Sequence, residues 1–300
     1  MTATAPAEAL IATDLDRTLI YSRNAMGDQQ FADLDPQCVE IYQDAPLSYM
    51  SARAISSLTA LTELMPVIPV TTRTAAQYHR ISLPGGPFRH AVVSSGGAIL
   101  TDGKDDAAWR AQIERSVAAN SVPLTEVSAQ LATMIDEQWV RSARTADDLF
   151  CYIVVDLERQ PADFLAEWDA WCAARGWVVS AQGRKIYALP ATVTKSAALA
   201  EVQRRLVAEG ALAPEASIFA AGDGRLDTDL LDYADAAIRP RHGELEQIGW
   251  HRPGLAVTEA VGALAGEEIL DWFCERVTSQ PGPSARARSL VAGSDHDRTE

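Results

Sequence analysis

Three apolar runs along the chain each end in polar residues, and segments with helical periodicity separate them. The runs are ALIAT (9–13), MPVIPVTT (65–72) and ASIFAAGD (216–223). Helical patterns at 51–64 and 196–210 precede the second and third runs. Short apolar runs that alternate with helices are typical of strands buried in a parallel sheet. We therefore predict an α/β fold with a Rossmann-like, doubly wound parallel sheet.

A long segment, residues 82–190, interrupts this alternation. It contains helical patterns at 107–120, 124–139 and 162–176, together with strand-like runs at 150–158, 177–182 and 184–190. This mixture is typical of a self-sufficient α+β unit. We predict a core formed by residues 1–81 and 191–278, with an inserted α+β domain at 82–190. The Pro-, Gly- and Ser-rich tail at 279–300 is predicted to be disordered.

Composition limits the partners of the chain. The formal net charge of −15 over 300 residues disfavours nucleic acid and anionic membranes, which attract positive charge. The sequence has neither a membrane-spanning apolar run nor a signal-peptide pattern at its start, and its four cysteines lack zinc-site spacing. We therefore expect a cytoplasmic protein without a nucleic-acid or membrane partner. A small phosphorylated substrate remains compatible with the charge, because one cation can reverse the field within a cleft.

The polar residues that end the predicted strands are the candidates for function, because ligands bind beyond the carboxyl ends of strands in open α/β sheets. A lysine at the start of the helix before the third strand joins them. These residues are Asp14, Asp16, Thr71, Thr72, Arg73, Lys195, Asp223 and Asp227. Each alone is compatible with a turn, a helix cap or a solvated side chain.

Taken together, they indicate phosphoryl transfer. Four carboxylates at one edge would repel each other unless a cation lay among them. Hard oxygen ligands suit Mg²⁺, which prefers a few carboxylates together with water and a substrate phosphate. Threonine and lysine can hold phosphoryl oxygens, and an aspartate can act as the nucleophile.

The order and spacing of these residues resemble the haloacid dehalogenase-like (HAD) superfamily. DLDRT at 14–18 resembles its motif I (DxDxT), and Thr71 in VTTRT resembles motif II. Lys195 in ATVTKSAAL resembles motif III, and GDGRLDTDLL resembles motif IV. An insert between motifs II and III is similar to the type C2 cap of Cof-type and sucrose-phosphate-phosphatase-like members.

The resemblance implies a role for each residue. Asp14 would be the nucleophile and Asp16 the general acid and base, while Thr71 and Lys195 would hold the phosphoryl group. Mg²⁺ would be bound by Asp14, the backbone carbonyl of Asp16, Asp223 and Asp227, the last directly or through water. The possible substrate contacts are Thr72, Arg73, Ser95, Gly96 and Lys185.

Four positions differ from the family pattern. These differences leave the carboxylates intact but change the residues that would surround the phosphate. Arg17 and Thr72 stand where glycine is usual in motifs I and II. Gly96 stands where the segment leading into the cap usually has asparagine, and Leu226 where asparagine often precedes the second aspartate of motif IV. The resemblance therefore does not name the substrate.

The function expected from the resemblance is a Mg²⁺-dependent phosphatase that acts on a small organic phosphate monoester, a sugar phosphate, through an aspartyl-phosphate. Two alternatives remain open. One is a phosphotransferase of the phosphohexomutase type, and the other is a catalytically silent protein that binds a phosphate ligand. The sequence leaves the oligomeric state open.

Overall fold

The structure is a computed structural model that describes residues 5–279. Of the tail predicted at 279–300, residues 280–300 lie outside the described residues. The strands of the described part are β1 Ala7–Thr13, β2 Gln37–Tyr42, β3 Ala45–Met50, β4 Val67–Pro69, β5 His90–Val93, β6 Ala98–Thr101, β7 Lys104–Asp105, β8 Val140–Ala146, β9 Phe150–Val155, β10 Trp177–Gln182, β11 Lys185–Pro190, β12 Leu212–Ala221, β13 Ala236–Arg239 and β14 Ala256–Val257.

The helices are α1 Arg23–Met26, α2 Asp28–Leu34, α3 Ala52–Leu64, α4 Ala75–Tyr78, α5 Ala107–Asn120, α6 Leu124–Met134, α7 Phe164–Ala173, α8 Lys195–Ala208, α9 Thr228–Tyr233, α10 Glu244–Gln247 and α11 Ala263–Thr278. Short 3₁₀ turns form at Ser94–Gly96 and Arg225–Asp227. Within the described range, none of these helices is both long and apolar enough to cross a membrane.

The central sheet is parallel and has the strand order β14-β13-β12-β1-β4. The strand β4 lies on one side of β1, and β12, which comes later in the sequence, lies on the other side. This reversal is the switch point at which doubly wound sheets bind ligands. The predicted α/β fold class is confirmed.

Alternation along β1 explains how both faces of this sheet are covered. Ala9 and Ile11 pack in a cluster with Leu58 of α3 and Phe273 of α11. Leu10 and its neighbour Ala12 belong to a second cluster, which includes residues of α8 and α9. Successive side chains of a strand point to opposite faces, so helices lie on both sides of the sheet.

Local signals fix the helix that carries Lys195. The side chain of Thr194 accepts a hydrogen bond from the backbone nitrogen of Ala197, which caps the start of α8. The helix ends at Ala208, and Gly210 follows with a φ of 71°. Glycine adopts this left-handed conformation readily and commonly ends helices.

The inserted segment contains an antiparallel sheet with the order β10-β11-β9-β8. One face of this sheet packs on α6 and α7 through a cluster that includes Ile153, Trp168 and Trp177. Tyr187 and Leu189 lie on the other face and share a cluster with residues of the parallel-sheet domain. We call this four-stranded sheet with α6 and α7 the cap.

The boundaries of the predicted insert remain a prediction. The cap lies wholly within 82–190, and so does the three-stranded sheet β5-β6-β7. However, Val92 of β5 forms a parallel bridge with Val70, directly after β4. The first strand of the insert therefore lies along the edge of the central sheet.

A hairpin of β2 and β3 follows β1 and was not predicted. Its strands are antiparallel, and Tyr49 is bridged to Tyr21. This pairing holds the hairpin next to the loop that carries Asp14 and Asp16.

Candidate active site

Pairing of β1 with β12 brings the first and last acidic motifs together. Thr13 lies in register with Ala221. The backbone nitrogen of Asp14 donates to the Ala221 carbonyl at 2.9 Å. Asp14 and Asp223 therefore leave neighbouring strands at the same edge of the sheet, as the sequence predicts.

Lys195 lies between two of the predicted carboxylates. Its Nζ is 2.7 Å from Oδ1 of Asp14 and 2.5 Å from Oδ1 of Asp227. Oδ2 of Asp227 accepts from the backbone nitrogens of Asp223 at 3.0 Å and of Gly224 at 2.8 Å. Lys195 is 1% exposed, and a buried ammonium group is stable only when it is paired in this way.

Three carboxylates form a set that could hold a metal ion. Asp14, Asp223 and Asp227 are buried, and one ligand oxygen from each lies within 4.8 Å of the others. Burial raises the pKa of Asp14 to about 7, with a further contribution from Asp227 that Lys195 opposes. Burial and the charges of Asp14 and Asp227 raise the pKa of Asp223. These three side chains offer only oxygen ligands, and their negative charges repel one another. Mg²⁺ prefers oxygen ligands and would offset this charge, so the set fits this ion.

The side chain of Asp16 has a different environment. Arg73 Nε is 2.6 Å from its Oδ2, and Arg73 Nη2 is 2.8 Å from its Oδ1. Burial acts to raise the pKa of Asp16, but the charge and hydrogen bonds of Arg73 outweigh it and lower that pKa below its ordinary value. The two acids of motif I are therefore not equivalent: Asp14 lies with Lys195, and Asp16 lies with Arg73.

Thr71 and Ser95 lie side by side next to this site. The backbone nitrogen of Thr71 donates to the Val92 carbonyl at 2.9 Å, and that of Ser95 donates to the Thr71 carbonyl at 2.9 Å. The Thr71 hydroxyl accepts from the backbone nitrogen of Arg73 at 3.2 Å, which leaves its proton available. Among the described residues, the buried Ser95 hydroxyl has no hydrogen-bond partner.

The structure gives Gly96 a backbone role. Its φ is 98°, and a Cβ at this position would lie 2.0 Å from the carbonyl oxygen of Thr194. The indole nitrogen of Trp109 donates to the Gly96 carbonyl at 2.9 Å. Only glycine allows this turn to approach the start of α8 so closely. Its predicted contact with substrate remains a prediction.

The remaining predicted contacts, Thr72 and Lys185, border the cap. Thr72 is buried and interacts with Tyr187 of β11. Lys185 is exposed at the start of β11 and interacts electrostatically with Asp16 and Arg73. Both residues therefore lie where the cap meets the parallel-sheet domain.

Arg17, which the sequence left without a role, holds a left-handed conformation with a φ of 63°. Nε2 of His242 is 2.8 Å from the carbonyl oxygen of Arg17. The Arg17 guanidinium group extends towards the acidic centre, with Nε 3.4 Å from Oδ2 of Asp223.

Sequence reasoning missed a buried acid on the hairpin. The side chain of Glu40 is fully buried and binds Arg73 Nη1 at 2.7 Å, Ser48 Oγ at 2.7 Å and Arg80 Nη2 at 3.2 Å. Its local sequence, QCVEIY, is that of an ordinary short strand and holds no signal for burial. Thr18 was also missed, although DLDRT contains it; its hydroxyl donates to Asp14 Oδ2 at 3.3 Å.

Glu244, a third missed residue, joins the cap to the parallel-sheet domain. Its carboxylate accepts from the hydroxyl of Ser180 at 2.6 Å and from the backbone nitrogen of Ala181 at 2.8 Å. It also accepts from the backbone nitrogen of Arg225 at 2.8 Å. One carboxylate thus holds strand β10 of the cap next to the loop that follows Asp223.

No protein-family model matches the sequence, and no curated protein matches it. Solved phosphatases nevertheless share its fold. The sucrose-phosphatase of Synechocystis sp. PCC6803, solved with sucrose and phosphate, is 14% identical with a TM-score of 0.60, over 89% of this chain and 98% of that one. A HAD subclass IIB sugar phosphatase is 11% identical with a TM-score of 0.56, over 88% and 98%.

The C-terminal domain of trehalose-6-phosphate phosphatase from C. albicans is 13% identical with a TM-score of 0.53, over 91% of this chain and 98% of that one. These alignments span both the parallel-sheet domain and the inserted segment. The chain therefore has the fold of the HAD-superfamily sugar phosphatases, a Rossmann-like core with an inserted cap.

Proposed function

We propose that the protein is a Mg²⁺-dependent phosphatase that hydrolyses a small organic phosphate monoester, of the sugar phosphate class, through an aspartyl-phosphate. The observation that carries this proposal is the buried cluster of Asp14, Asp223, Asp227 and Lys195 at the switch point of the sheet. Buried charges are costly, and an arrangement of this kind is more often found at functional sites than in a purely structural core. The shared fold with sugar phosphatases supports the same class of substrate.

In the first step Asp14 is the nucleophile. One of its carboxylate oxygens forms a bond to phosphorus while the bond from phosphorus to the ester oxygen breaks. Lys195 and Thr18 hold the two oxygens of Asp14 in place. Lys195 also offsets the negative charge that the phosphoryl group brings.

Asp16 is proposed to protonate the departing alcohol and then to take a proton from the attacking water. Water forms a bond to phosphorus, the bond to Asp14 breaks, and inorganic phosphate leaves. The ion pair with Arg73 favours the ionised form of Asp16, which is the form that the second step requires. The first step requires a protonated Asp16. The ion pair between Arg73 and Asp16 must therefore break or lengthen when substrate binds. A phosphoryl oxygen is a suitable new partner for the guanidinium group.

Asp14, Asp223, Asp227 and the backbone carbonyl of Asp16 would hold Mg²⁺, with Asp227 acting directly or through water. When bound, the ion would polarise the phosphoryl oxygens and offset their charge. Thr71 would donate its hydroxyl proton to the phosphoryl group. The cap would cover the leaving group and exclude bulk water, as closing domains do.

Release of phosphate from a generic aryl phosphate tests the proposal. Wild-type protein should release phosphate with millimolar Mg²⁺ and lose this activity when EDTA is added. Asp14→Asn should reduce release to background, because amide oxygen is a poor nucleophile. Asp28→Asn is the matched control, since Asp28 is exposed on α2 and forms an ion pair with the exposed Arg23. No release by wild type, or equal release by Asp14→Asn, would sink the proposal.

A further inference from the structure

The face of the cap sheet that is turned to the site carries aromatic rings and a lysine. Tyr187 of β11 pairs with Tyr152 of β9, and their ring centroids lie 5.5 Å apart. Lys185 lies two residues before Tyr187 on the same strand, so both side chains belong to one face. The opposite face holds Ile186 and Ile153, which are packed in the core of the cap.

The negative charges of Asp16 and its neighbour Glu40 are compensated without Lys185. Arg73 and Arg80 compensate the carboxylates of Asp16 and Glu40 through hydrogen bonds and ion pairs. In the described part of the chain, the Lys185 ammonium group forms no hydrogen bond or close ion pair of its own, and it interacts with Asp16 only at longer range. Lys185 is therefore a surplus cation at the mouth of the site.

Arg17 supplies a second cation next to the turn that leads into β11. Its Nη1 lies 3.6 Å from the point that a Cβ on Gly183 would occupy, in the turn just before Lys185. Its side chain is 34% exposed. The buried Nε has no hydrogen-bond partner among residues 5–279, and its contact with Asp223 is long, at 3.4 Å. The guanidinium group of Arg17 can therefore donate hydrogen bonds to a ligand that lies next to the turn at Gly183.

We infer that Arg17 and Lys185 form an anion subsite for the leaving group, so that the substrate is a phosphate ester whose alcohol part carries a second negative charge. The inference rests on the proposed phosphatase function and narrows its substrate class. The second charge is a carboxylate, as in a phosphorylated hydroxy acid or sugar acid. A guanidinium group beside the turn at Gly183 and an ammonium group two residues further along the chain suit a carboxylate, which can accept from both.

Matched pairs of esters test the inference. Each pair has the same open carbon chain and differs in one carboxylate: 2-phosphoglycerate with glycerol 2-phosphate, and 6-phosphogluconate with glucitol 6-phosphate. The readout is the ratio of kcat/KM for the acidic ester to kcat/KM for its neutral partner. We expect a ratio of about ten or more in at least one pair, since a charge-assisted hydrogen bond contributes about this much. Fructose 1,6-bisphosphate with fructose 6-phosphate shows whether a second phosphoryl group replaces the carboxylate.

Variants assign the effect to the two cations. Lys185→Gln and Arg17→Gly should each lower this ratio by about tenfold, and Arg17→Lys should retain part of it. Glycine suits the positive φ at position 17, so Arg17→Gly removes the charge without straining the backbone. Lys104→Gln, an exposed lysine on β7, is the control and should leave the ratio unchanged.

The results separate the inference from the function on which it rests. No phosphate release from an aryl phosphate or any ester would overturn the phosphatase proposal and the subsite with it. Release with ratios well below ten in both carboxylate pairs would overturn the subsite alone. A high ratio that survives in both Lys185→Gln and Arg17→Gly would also overturn it. A preference for the bisphosphate alone would reject the carboxylate as the second charge.

Discussion

Arg73 binds both carboxylate oxygens of Asp16, with Nε 2.6 Å from Oδ2 and Nη2 2.8 Å from Oδ1. The same guanidinium group reaches Glu40 of the hairpin through Nη1. Arg73 therefore joins the motif I loop, the end of β4 and the hairpin in one buried network. Its loss should affect both stability and turnover.

Arg73→Gln is expected to lower the free energy of unfolding by about 3–5 kcal/mol, because it leaves the buried Glu40 without its main counter-charge. Glu40→Gln in the same protein should recover part of this loss. Urea unfolding of the wild type, the two single variants and the double variant gives the coupling energy of the pair. Additive losses would contradict a direct interaction.

Stability of the metal-free protein should fall as the pH rises towards neutrality. Burial raises the pKa of Asp14 to about 7 in the folded protein, whereas an aspartate in an unfolded chain has a pKa of about 3.9. The folded form thus holds this proton more tightly, so the contribution to stability is full below about pH 4 and is lost as the pH rises through about 7. The raised pKa of Asp223 acts in the same direction.

Urea unfolding between pH 4 and pH 7.5 in EDTA measures this dependence. Asp14→Asn cannot titrate and should show a weaker decline than wild type. Addition of Mg²⁺ should reverse the wild-type decline near neutral pH, because the ion binds the ionised carboxylates. An equal decline in wild type and Asp14→Asn would show that Asp14 is not responsible.

Glu244 should keep the cap close to the parallel-sheet domain. Glu244→Ala removes the acceptor for Ser180, Ala181 and Arg225, and hydrogen bonds to a charged group contribute about 1.5–3 kcal/mol each. We expect faster amide hydrogen exchange at Ala181 and a severalfold higher KM. Glu63→Ala, at an exposed position on α3, is the control. Unchanged exchange at Ala181 would argue against this role.

We expect Gly96→Ala to disturb the candidate site indirectly, through the start of α8. A Cβ here would meet the carbonyl of Thr194, one residue before Lys195. The start of α8 must then shift, and both the free energy of unfolding and kcat should fall. Gly210→Ala is a matched control, since Gly210 also has a positive φ but open space around its Cβ position. It should cost only about 1–2 kcal/mol and leave kcat unchanged. Equal effects of the two substitutions would contradict a packing role for Gly96.

The acidic centre could be predicted because its residues stand at the ends of strands or at the start of a helix in a parallel α/β pattern. Asp14 and Asp223 come just after buried strands whose apolar runs are evident in the sequence, and Lys195 begins the helix before the second of these strands. The carboxyl ends of parallel strands meet at one edge, so these residues had to converge. The cap strands at 150–158, 177–182 and 184–190 could also be predicted, because each of them is a clear apolar run in the sequence.

The surroundings of the centre depend on tertiary contacts that local patterns do not encode. Glu40 belongs to a short hairpin strand, and nothing in its neighbours indicates a buried charge that pairs with Arg73. The close approach of Gly96 to Thr194 is visible only in three dimensions, so the sequence predicts a substrate contact at Gly96 but not this packing. Arg17 lacked a role until its guanidinium group could be placed between Asp223 and the turn at Gly183.

The central claim is that Asp14 carries the phosphoryl group during turnover. Mass spectrometry of peptides from the Asp16→Asn variant, quenched in acid after mixing with an aryl phosphate and Mg²⁺, tests it most directly. Without the carboxylate of Asp16 to activate water, the aspartyl-phosphate should accumulate. We predict the mass of one phosphoryl group on Asp14, with none in an Asp14→Asn control. Phosphate release by wild type without a phosphoryl group on Asp14 in the Asp16→Asn variant, or with one on another residue, would contradict the claim.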